Sequence, residues 1–352
     1  MIFYIAICIS ASLFAFLYSK TESKNLAFVF KWTSFLILFL PIALRYNIGT
    51  DYSGYIRHIA NGAYEDIFEL GWVIFIKLIL SLNLDLQWFF IIPAFLSLLI
   101  IFNFAERRYA YLIIFAYATV MYVNSYTAIR QSFATVIFLL AIKAFLDKQR
   151  IKMLFWIILS CLFHKSMLLA GFMLLVCEID FKFLNSKTNI IILVFIFLLH
   201  YIGIGNLIMS NIVSYTLYAH YETSNYNRDA EINSGLGILL KFLIIALMLF
   251  FGKKNLINYR LYNVSCIFLF CLAFSFVLFM EIHIFNRIKD IFIIGFMIGL
   301  LNMSFSQKQH TKFIIAIIMP LLFILLIGDI KNAQSSNFSG LGIIPYQSIF
   351  ER

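Results

Sequence analysis

Long apolar runs separated by short polar connections fill almost the whole chain. A helix that crosses a hydrocarbon layer about 30 Å thick needs about 20 apolar residues. Twelve runs predict membrane-spanning helices, at residues 2–18, 26–44, 86–104, 109–124, 129–146, 151–163, 167–178, 188–205, 235–251, 261–280, 288–303 and 313–328. We therefore predict an all-α polytopic helical bundle that forms a single integral membrane domain over residues 1–352.

Two of these twelve runs, and a thirteenth run at residues 71–82, are short for a membrane crossing. Residues 71–82 carry Lys77 in mid-run, which favours a re-entrant or interfacial helix; if this run spans instead, the N-terminus moves to the other side. Runs 151–163 and 167–178 predict either extended spans or a hairpin whose turn, at His164, lies below the membrane surface. The first run lacks a basic leader and a cleavage site, so we expect it to be retained as a helix.

Composition agrees with a membrane protein and excludes several other classes. The chain is 63% hydrophobic and 12% charged, and its mean hydropathy is +0.94. These values exclude a soluble enzyme with one anchor, a disordered chain and a repeat solenoid. The five cysteines form no CxxC pair, so they suggest neither a disulfide framework nor a zinc site. The net charge of +10 comes from scattered Lys and Arg, which argues against nucleic acid as a partner.

The distribution of charge predicts the orientation of the bundle. One set of connections holds more than half of the 27 Lys and Arg but fewer than a third of the 17 Asp and Glu. The positive-inside rule makes that side cytoplasmic. Its members are residues 20–31, 105–108, 147–152, 178–187, 252–260 and 307–312. Both termini and two larger loops, residues 45–69 and 206–234, then face outward, where we expect substrate contacts.

The first outward loop begins with a group of residues suited to sugar and phosphate chemistry. Arg45 leaves the second helix into a turn that presents Asp51 beside Tyr52 and Tyr55. The alternative is a helix-end arginine that reaches the interface, an Asx turn at Asp51 and an interfacial aromatic belt. For Tyr55 alone the belt is favoured, whereas a functional role is favoured for Arg45 with Asp51.

Arg130 and Gln131 form a second group, in the first turn of an otherwise apolar helix. An arginine at that depth is costly without an anionic partner. Arg130 could pair with Glu69 or Glu281, but a planar guanidinium near the outer surface is also suited to gripping a diphosphate through two parallel bonds.

His164 and Lys165 interrupt the apolar sequence between two short helices. Ionisable groups at membrane depth are candidate functional residues. His164 is either a hydrogen-bonded packing residue, a general base that works near neutral pH or, with Lys165, a further cationic contact.

Glu281, Asn286 and Arg287 lie together at another predicted outward junction, and Pro345-Tyr346 lies in the outward C-terminal tail. Three arginines far apart in sequence therefore share one predicted membrane face and could line an anionic cavity. These are Arg45, Arg130 and Arg287. The alternative is that each pairs separately with Asp51, Glu69 or Glu281.

Taken in order, these groups resemble the EpsG-type family of Wzy polysaccharide polymerases, which includes the O-antigen polymerases. The motifs are Arg45 with Gly49-Thr50-Asp51-Tyr52, Glu69-Leu70-Gly71, Ile129-Arg130-Gln131, Phe163-His164-Lys165-Ser166, Phe285-Asn286-Arg287 and Pro345-Tyr346. The resemblance runs nearly end to end, although residues 180–280 match only in hydrophobicity.

The resemblance implies a multi-pass glycosyltransferase of the C type in the bacterial inner membrane, with an active site facing the periplasm or exterior. It would transfer a growing glycan from undecaprenyl diphosphate to a hydroxyl of the incoming lipid-linked repeat unit of O-antigen, capsule or exopolysaccharide. Its partners would be these two lipid-linked glycans, the bilayer and, as a further candidate, a chain-length regulator.

Such a transfer needs a base for the acceptor proton and cations for the departing diphosphate. We assign the base to His164 or Asp51. We assign the diphosphate to Arg45, Arg130, Arg287 and Lys165, and supporting roles to Tyr52, Glu69, Gln131, Glu281 and Asn286. No aspartate pair has metal-ligand spacing, so we expect neither a metal nor a cofactor.

Two alternatives belong to other classes of protein. A flippase or exporter of lipid-linked oligosaccharide could also line a cationic cavity, but such proteins usually have two related halves, and no internal repeat is evident. A membrane O-acetyltransferase would also use a histidine and an arginine, but it needs an acyl donor.

Overall fold

A computed structural model of the chain describes residues 1–179, 181, 183–211, 235–252, 259–282, 285–306, 308–332 and 341–351. Over these residues the regular secondary structure is helical, and one isolated antiparallel β-bridge joins Arg45 to Ser348. The all-α prediction is therefore confirmed. The predicted outward loop at 206–234 is described only to residue 211, and most of the connection at 252–260 also lies outside the described residues.

The chain divides into two compact units, which are Met1–Gly171 with Leu322–Arg352, and Phe172–Leu321. The helices of the first unit are α1 (Ile2–Lys20), α2 (Lys24–Ala43), α3 (Tyr52–Ala60), α4 (Tyr64–Ile67), α5 (Leu70–Ser81), α6 (Trp88–Phe104), α7 (Arg107–Val120), α8 (Ile129–Leu146) and α9 (Arg150–Phe163). Helix α10 (Met167–Val176) begins in this unit.

The helices of the second unit follow α10 in sequence. They are α11 (Ser186–Leu198), α12 (Ile204–Asn211), α13 (Leu236–Phe251), α14 (Tyr259–Glu281), α15 (Asn286–Phe292) and α16 (Gly295–Ser304). Helix α17 (Gln309–Asn332) starts in the second unit and ends in the first.

Five described helices, α1, α2, α8, α14 and α17, are long and apolar enough to cross a membrane. A sixth span results if α11 and α12 count as one helix bent by 67°. The bend follows Gly203, whose φ of +67° is a left-handed conformation that glycine adopts readily after a helix. The protein is thus an all-α membrane protein, but the predicted number of twelve spans is not confirmed.

Turns interrupt two of the predicted spans, and several others form apolar helices of 10–17 residues. The run at 109–124 stops as a helix at Val120, since a 3₁₀ turn at Asn124–Tyr126 follows. The run at 288–303 is divided between α15 and α16. Hydropathy detects burial in lipid or protein equally well, so it cannot separate a crossing helix from two short buried ones.

The structure confirms helices where the sequence predicts the three short apolar elements. Helix α5 corresponds to the predicted run at 71–82, and its Lys77 forms an ion pair with Glu65 at 3.0 Å. Helices α9 and α10 correspond to the predicted runs at 151–163 and 167–178, and His164 lies in the turn between them. Whether α5 re-enters or crosses the bilayer stays a prediction.

Basic residues gather at one end of the first unit. Arg107 donates hydrogen bonds to the backbone oxygens of Tyr18 and Thr21, at the C-terminal end of α1. Lys31 and Lys143 both donate to Asn103, at the C-terminal end of α6. The predicted cytoplasmic connections 20–31 and 105–108 therefore meet at the same end of this unit, as the predicted topology requires.

The turn after α2 is held by the chain's C-terminal residues. The backbone N–H of Tyr46 donates to the Gln347 oxygen at 2.9 Å, and the N–H of Gly49 donates to the Gly342 oxygen at 2.8 Å. Gly49 has a φ of +96°, and a Cβ atom there would lie 1.9 Å from the Tyr126 backbone oxygen. Only glycine therefore fits between this turn and the 3₁₀ turn that precedes α8.

We expect Gly49→Ala to destabilise the protein by about 1–3 kcal/mol or more, because the methyl group adds a backbone clash to an unfavourable φ. The measurement is the apparent melting temperature of detergent-solubilised protein. Gly54→Ala in α3 is the matched control, since its Cβ would meet no atom within 4 Å. Equal melting temperatures for the two variants would contradict the close approach.

Candidate functional site

The central feature of the first unit is a carboxylate shared by two basic side chains. Glu69 accepts a hydrogen bond from Arg130 Nη1 through one oxygen, at 2.6 Å, and lies 2.8 Å from His164 Nδ1 through the other. The three side chains are 10–20% exposed. Of the two partners predicted for Arg130, the structure selects Glu69, and it adds His164 to the pair.

The segment from Glu69 to Trp72 contacts the C-terminal end of α9 through three of its four residues. Glu69 is the N-terminal cap residue of α5 and reaches His164, the C-terminal cap residue of α9. A Cβ on Gly71 would lie 2.8 Å from the Leu162 backbone oxygen, so glycine permits this approach. Trp72 Nε1 donates to the Phe163 oxygen at 2.9 Å. These contacts fix the position of the His164 ring.

The charge state of Glu69 determines which nitrogen of His164 carries a proton. Burial raises the pKa of the Glu69 carboxyl, but the hydrogen bond from His164 and the charge of Arg130 outweigh burial, and the pKa lies below its ordinary value. The carboxylate is therefore ionised at neutral pH and can only accept. Nδ1 of His164 must donate to it, which leaves Nε2 of the neutral ring as a proton acceptor.

Arg130 is enclosed by aromatic rings as well as by Glu69. Its guanidinium carbon lies 4.7 Å from the centre of the Phe68 ring and 5.8 Å from that of Tyr55. Its Nε is buried and has no hydrogen-bond partner among the described residues. A guanidinium held in this way keeps a donor available for an anion.

Tyr55 connects Arg130 to Asp51. The Tyr55 hydroxyl donates to Asp51 Oδ2 at 3.2 Å, and the centre of the Tyr55 ring lies 5.8 Å from the guanidinium carbon of Arg130. Tyr55 is buried, so its assignment to an interfacial aromatic belt is wrong. The signal that could have identified it is the i,i+4 spacing from Asp51, which places the two side chains on one face of α3.

Arg45 differs from Arg130 because no carboxylate faces it in the described contacts. Its side chain is 0% exposed and lies between the rings of Phe90, at 4.6 Å, and Tyr126, at 5.3 Å. Nη1 donates to the Ser125 oxygen at 3.3 Å, whereas Nε and Nη2 have no hydrogen-bond partner among the described residues. Burial lowers the pKa of Arg45 to about 10, so it stays charged at neutral pH.

The burial of Arg45 corrects one part of its interpretation. The alternative of an arginine that reaches the membrane interface is wrong, because the side chain has no exposed surface. Contact between Arg45 and a diphosphate stays a prediction.

Other predicted residues of the first unit lie around this network. Tyr52 is buried, stacks on Phe90 at 4.6 Å and has its hydroxyl 3.5 Å from Gln87 Oε1. Gln131 is buried on α8, and Lys165 is exposed in the turn after His164. Tyr346 donates to the Pro41 oxygen at 3.1 Å, so the C-terminal motif serves to anchor the tail.

The remaining predicted residues belong to the second unit. Glu281 accepts from the backbone N–H of Asn206 at 3.1 Å, and its other oxygen lies 3.7 Å from His200 Nδ1. Arg287 is exposed on α15, and the side chain of Asn286 lies outside the described part of the chain. A cavity shared by Arg287 with the arginines of the first unit stays a prediction.

Metal binding has no candidate cluster in the described residues. No three His, Cys, Asp or Glu side chains gather there in positions to hold an ion. The expectation that the reaction needs no metal stays a prediction.

Comparison with known proteins gives one match. The model of the EpsG family matches residues 28–348. Neither the curated proteins nor the solved structures contain a match.

We expect the stabilising effect of Glu69 to disappear in acid. Because the pKa of Glu69 is depressed in the folded protein, its carboxylate stabilises the fold above the pKa of an unfolded glutamate, about 4.3. This stabilisation is lost as the pH falls through the pKa of Glu69 in the folded state. Glu69→Gln should therefore melt below the wild type at pH about 5, and this difference should shrink below pH about 4.

The matched control is Glu65→Gln, because Glu65 and Lys77 form an ion pair with both side chains about half exposed. Exposed pairs contribute little to stability, so this variant should melt close to the wild type throughout. A deficit in Glu69→Gln that persists undiminished to pH about 3 would rule out the buried carboxylate as its source.

Proposed function

Because the chain belongs to the EpsG family, we propose that it polymerises the lipid-linked repeat units of a bacterial O-antigen, capsule or exopolysaccharide. The donor is a growing glycan on undecaprenyl diphosphate, and the acceptor is a hydroxyl of the next lipid-linked repeat unit. The observation that carries this proposal is the bridge from Arg130 through Glu69 to His164, which supplies a base and a diphosphate ligand side by side.

His164 is the general base of the proposed transfer. Its Nε2 takes the proton from the acceptor hydroxyl as that oxygen forms a bond to the anomeric carbon of the donor glycan. Glu69 holds the Nδ1 proton and stabilises the positive ring that results, which is the role of the carboxylate in a hydrolase triad. General bases positioned in this way contribute about 10²–10⁴-fold to rate.

Arg130 stabilises the leaving group. As the anomeric carbon–oxygen bond breaks, negative charge develops on undecaprenyl diphosphate, and a fixed guanidinium stabilises that charge without reorganising. The proton on His164 passes to the released diphosphate or to water, which restores the base. Lys165, exposed beside His164, and Arg287 are further proposed diphosphate contacts.

The bilayer delivers both substrates to the site. Undecaprenyl chains lie in the hydrocarbon layer, so the two diphosphates reach the protein at the depth of its interface. We place the site on the outward side of the bacterial inner membrane, opposite the basic end of the first unit.

A polymerase explains the bridged residues better than the flippase or exporter does. A transporter needs cations for the diphosphate but has no use for a histidine whose tautomer is fixed by a carboxylate. The bridge also agrees with membrane acyl transfer, and the donor requirement separates that reaction from polymerisation.

We expect deletion of the gene in its host to leave glycan with a single repeat unit, and the wild-type gene to restore a ladder on a gel. His164→Ala and Arg130→Ala should give no ladder, because they remove the base and the diphosphate contact. Arg130→Lys should rescue poorly, since a point charge lacks the planar fork.

Arg57→Ala is the control for these variants, because Arg57 is an exposed arginine on α3, in the predicted outward loop at 45–69. Membrane fractions should contain every variant at similar levels. Ladders from both His164→Ala and Arg130→Ala would refute the proposed site. An unchanged ladder that lacks acetyl groups after deletion would favour the acetyltransferase, and loss of all surface repeats would favour the flippase.

A further inference from the structure

Tyr55 lies between Asp51 and Arg130, two residues that are far apart in the sequence. It lies in the first turn and a half of α3, buried in the cluster that contains Phe68 and Trp72. Its hydroxyl donates to Asp51, the N-terminal cap residue of α3, and its ring faces Arg130 on α8. None of the roles assigned above uses this hydroxyl.

A hydrogen bond to Asp51 holds the Tyr55 ring in place beside Arg130. The Tyr55 hydroxyl donates to Asp51 Oδ2 at 3.2 Å. The same ring lies 5.8 Å from the guanidinium carbon of Arg130, within reach of a cation–π contact. Burial and the charge of Asp51 raise the pKa of Tyr55, so the hydroxyl keeps its proton near neutral pH.

Arg130 is consequently restrained by three different contacts. Glu69 binds Nη1 at 2.6 Å, the Phe68 ring lies 4.7 Å from the guanidinium carbon, and the Tyr55 ring lies 5.8 Å from it. The Nε hydrogen remains buried and unpaired among the described residues. Removing one restraint frees the guanidinium to rotate about its side-chain bonds and misdirect that donor.

We infer that Tyr55 is a positioning residue, which holds the guanidinium of Arg130 in the orientation that receives the substrate diphosphate, and that Asp51 acts by orienting the Tyr55 hydroxyl. This inference rests on the proposed function. It assigns Asp51 to the diphosphate side of the site and leaves His164 as the sole base of the two residues proposed for that role.

The inference separates the effects of two sets of variants. Hydrogen bonds to charged groups contribute enough that Tyr55→Phe should lower kcat about 10- to 100-fold. Asp51→Asn should lower it by a similar factor or less. The double variant should be no slower than the slower single variant, because both act through Arg130. The pH profile of kcat should keep its shape in all three, since His164 is untouched.

The experiment measures repeat-unit transfer by purified full-length protein in vesicles, with lipid-linked repeat unit as donor and acceptor. Tyr64→Phe is the matched control, because Tyr64 is a buried tyrosine of the same cluster that is not part of the network. It should keep wild-type activity. Melting temperatures of all variants show whether a loss of activity comes from unfolding, and Asp51→Asn keeps the Tyr55 ring if Tyr55→Phe does not fold.

Two results would overturn the inference. One is full activity in Tyr55→Phe while Asp51→Asn is inactive, which would mean that Asp51 contacts substrate directly. The other is a multiplicative loss in the double variant. The proposed function fails separately, through an inactive wild type or an active His164→Ala.

Discussion

A single buried carboxylate, that of Glu69, determines how the functional residues of the first unit are arranged. A guanidinium inside a protein is costly without a counter-ion, and a histidine without a fixed partner has no fixed tautomer. Glu69 meets both requirements, since one oxygen binds Arg130 and the other faces His164. The two residues reach it from different helices, α8 and α9. Removal of the carboxylate would therefore take from Arg130 and His164, each about one-fifth exposed, the partner that they share.

Close backbone approaches, together with hydrophobic packing, position the scaffold around this carboxylate. Gly71 brings α5 onto the end of α9, where Trp72 donates to the Phe163 oxygen. Gly49 brings the first outward turn onto the chain before α8. In each case a side chain would separate elements that carry functional groups. Packing by apolar side chains alone tolerates small shifts, whereas a bridge of 2.6–2.8 Å between charged groups does not.

The sequence predicts which residues carry the chemistry of the site better than it predicts the contacts between them. A lone Arg130 in an apolar helix demands an anionic partner, so Glu69 could be named in advance as one of two candidates. His164 was identifiable because it interrupts apolar sequence. The contact of His164 with Glu69 could not be predicted, because this contact depends on how the turn between α9 and α10 meets α5. Tyr55 was missed because a tyrosine near a membrane surface is ordinarily interfacial. The predicted number of spans is not confirmed for a related reason, since hydropathy reports burial and not helix length.

Arg45 and Arg130 of the first unit show how environment separates residues that look alike in sequence. Arg130 has a carboxylate, a phenol and partial exposure, so it is restrained and accessible to a ligand. Arg45 has aromatic rings on both sides, one backbone oxygen and no exposure. Aromatic faces stabilise a desolvated cation only in part. Arg45 therefore keeps two buried donors, Nε and Nη2, without a hydrogen-bond partner among the described residues, whereas Arg130 keeps one.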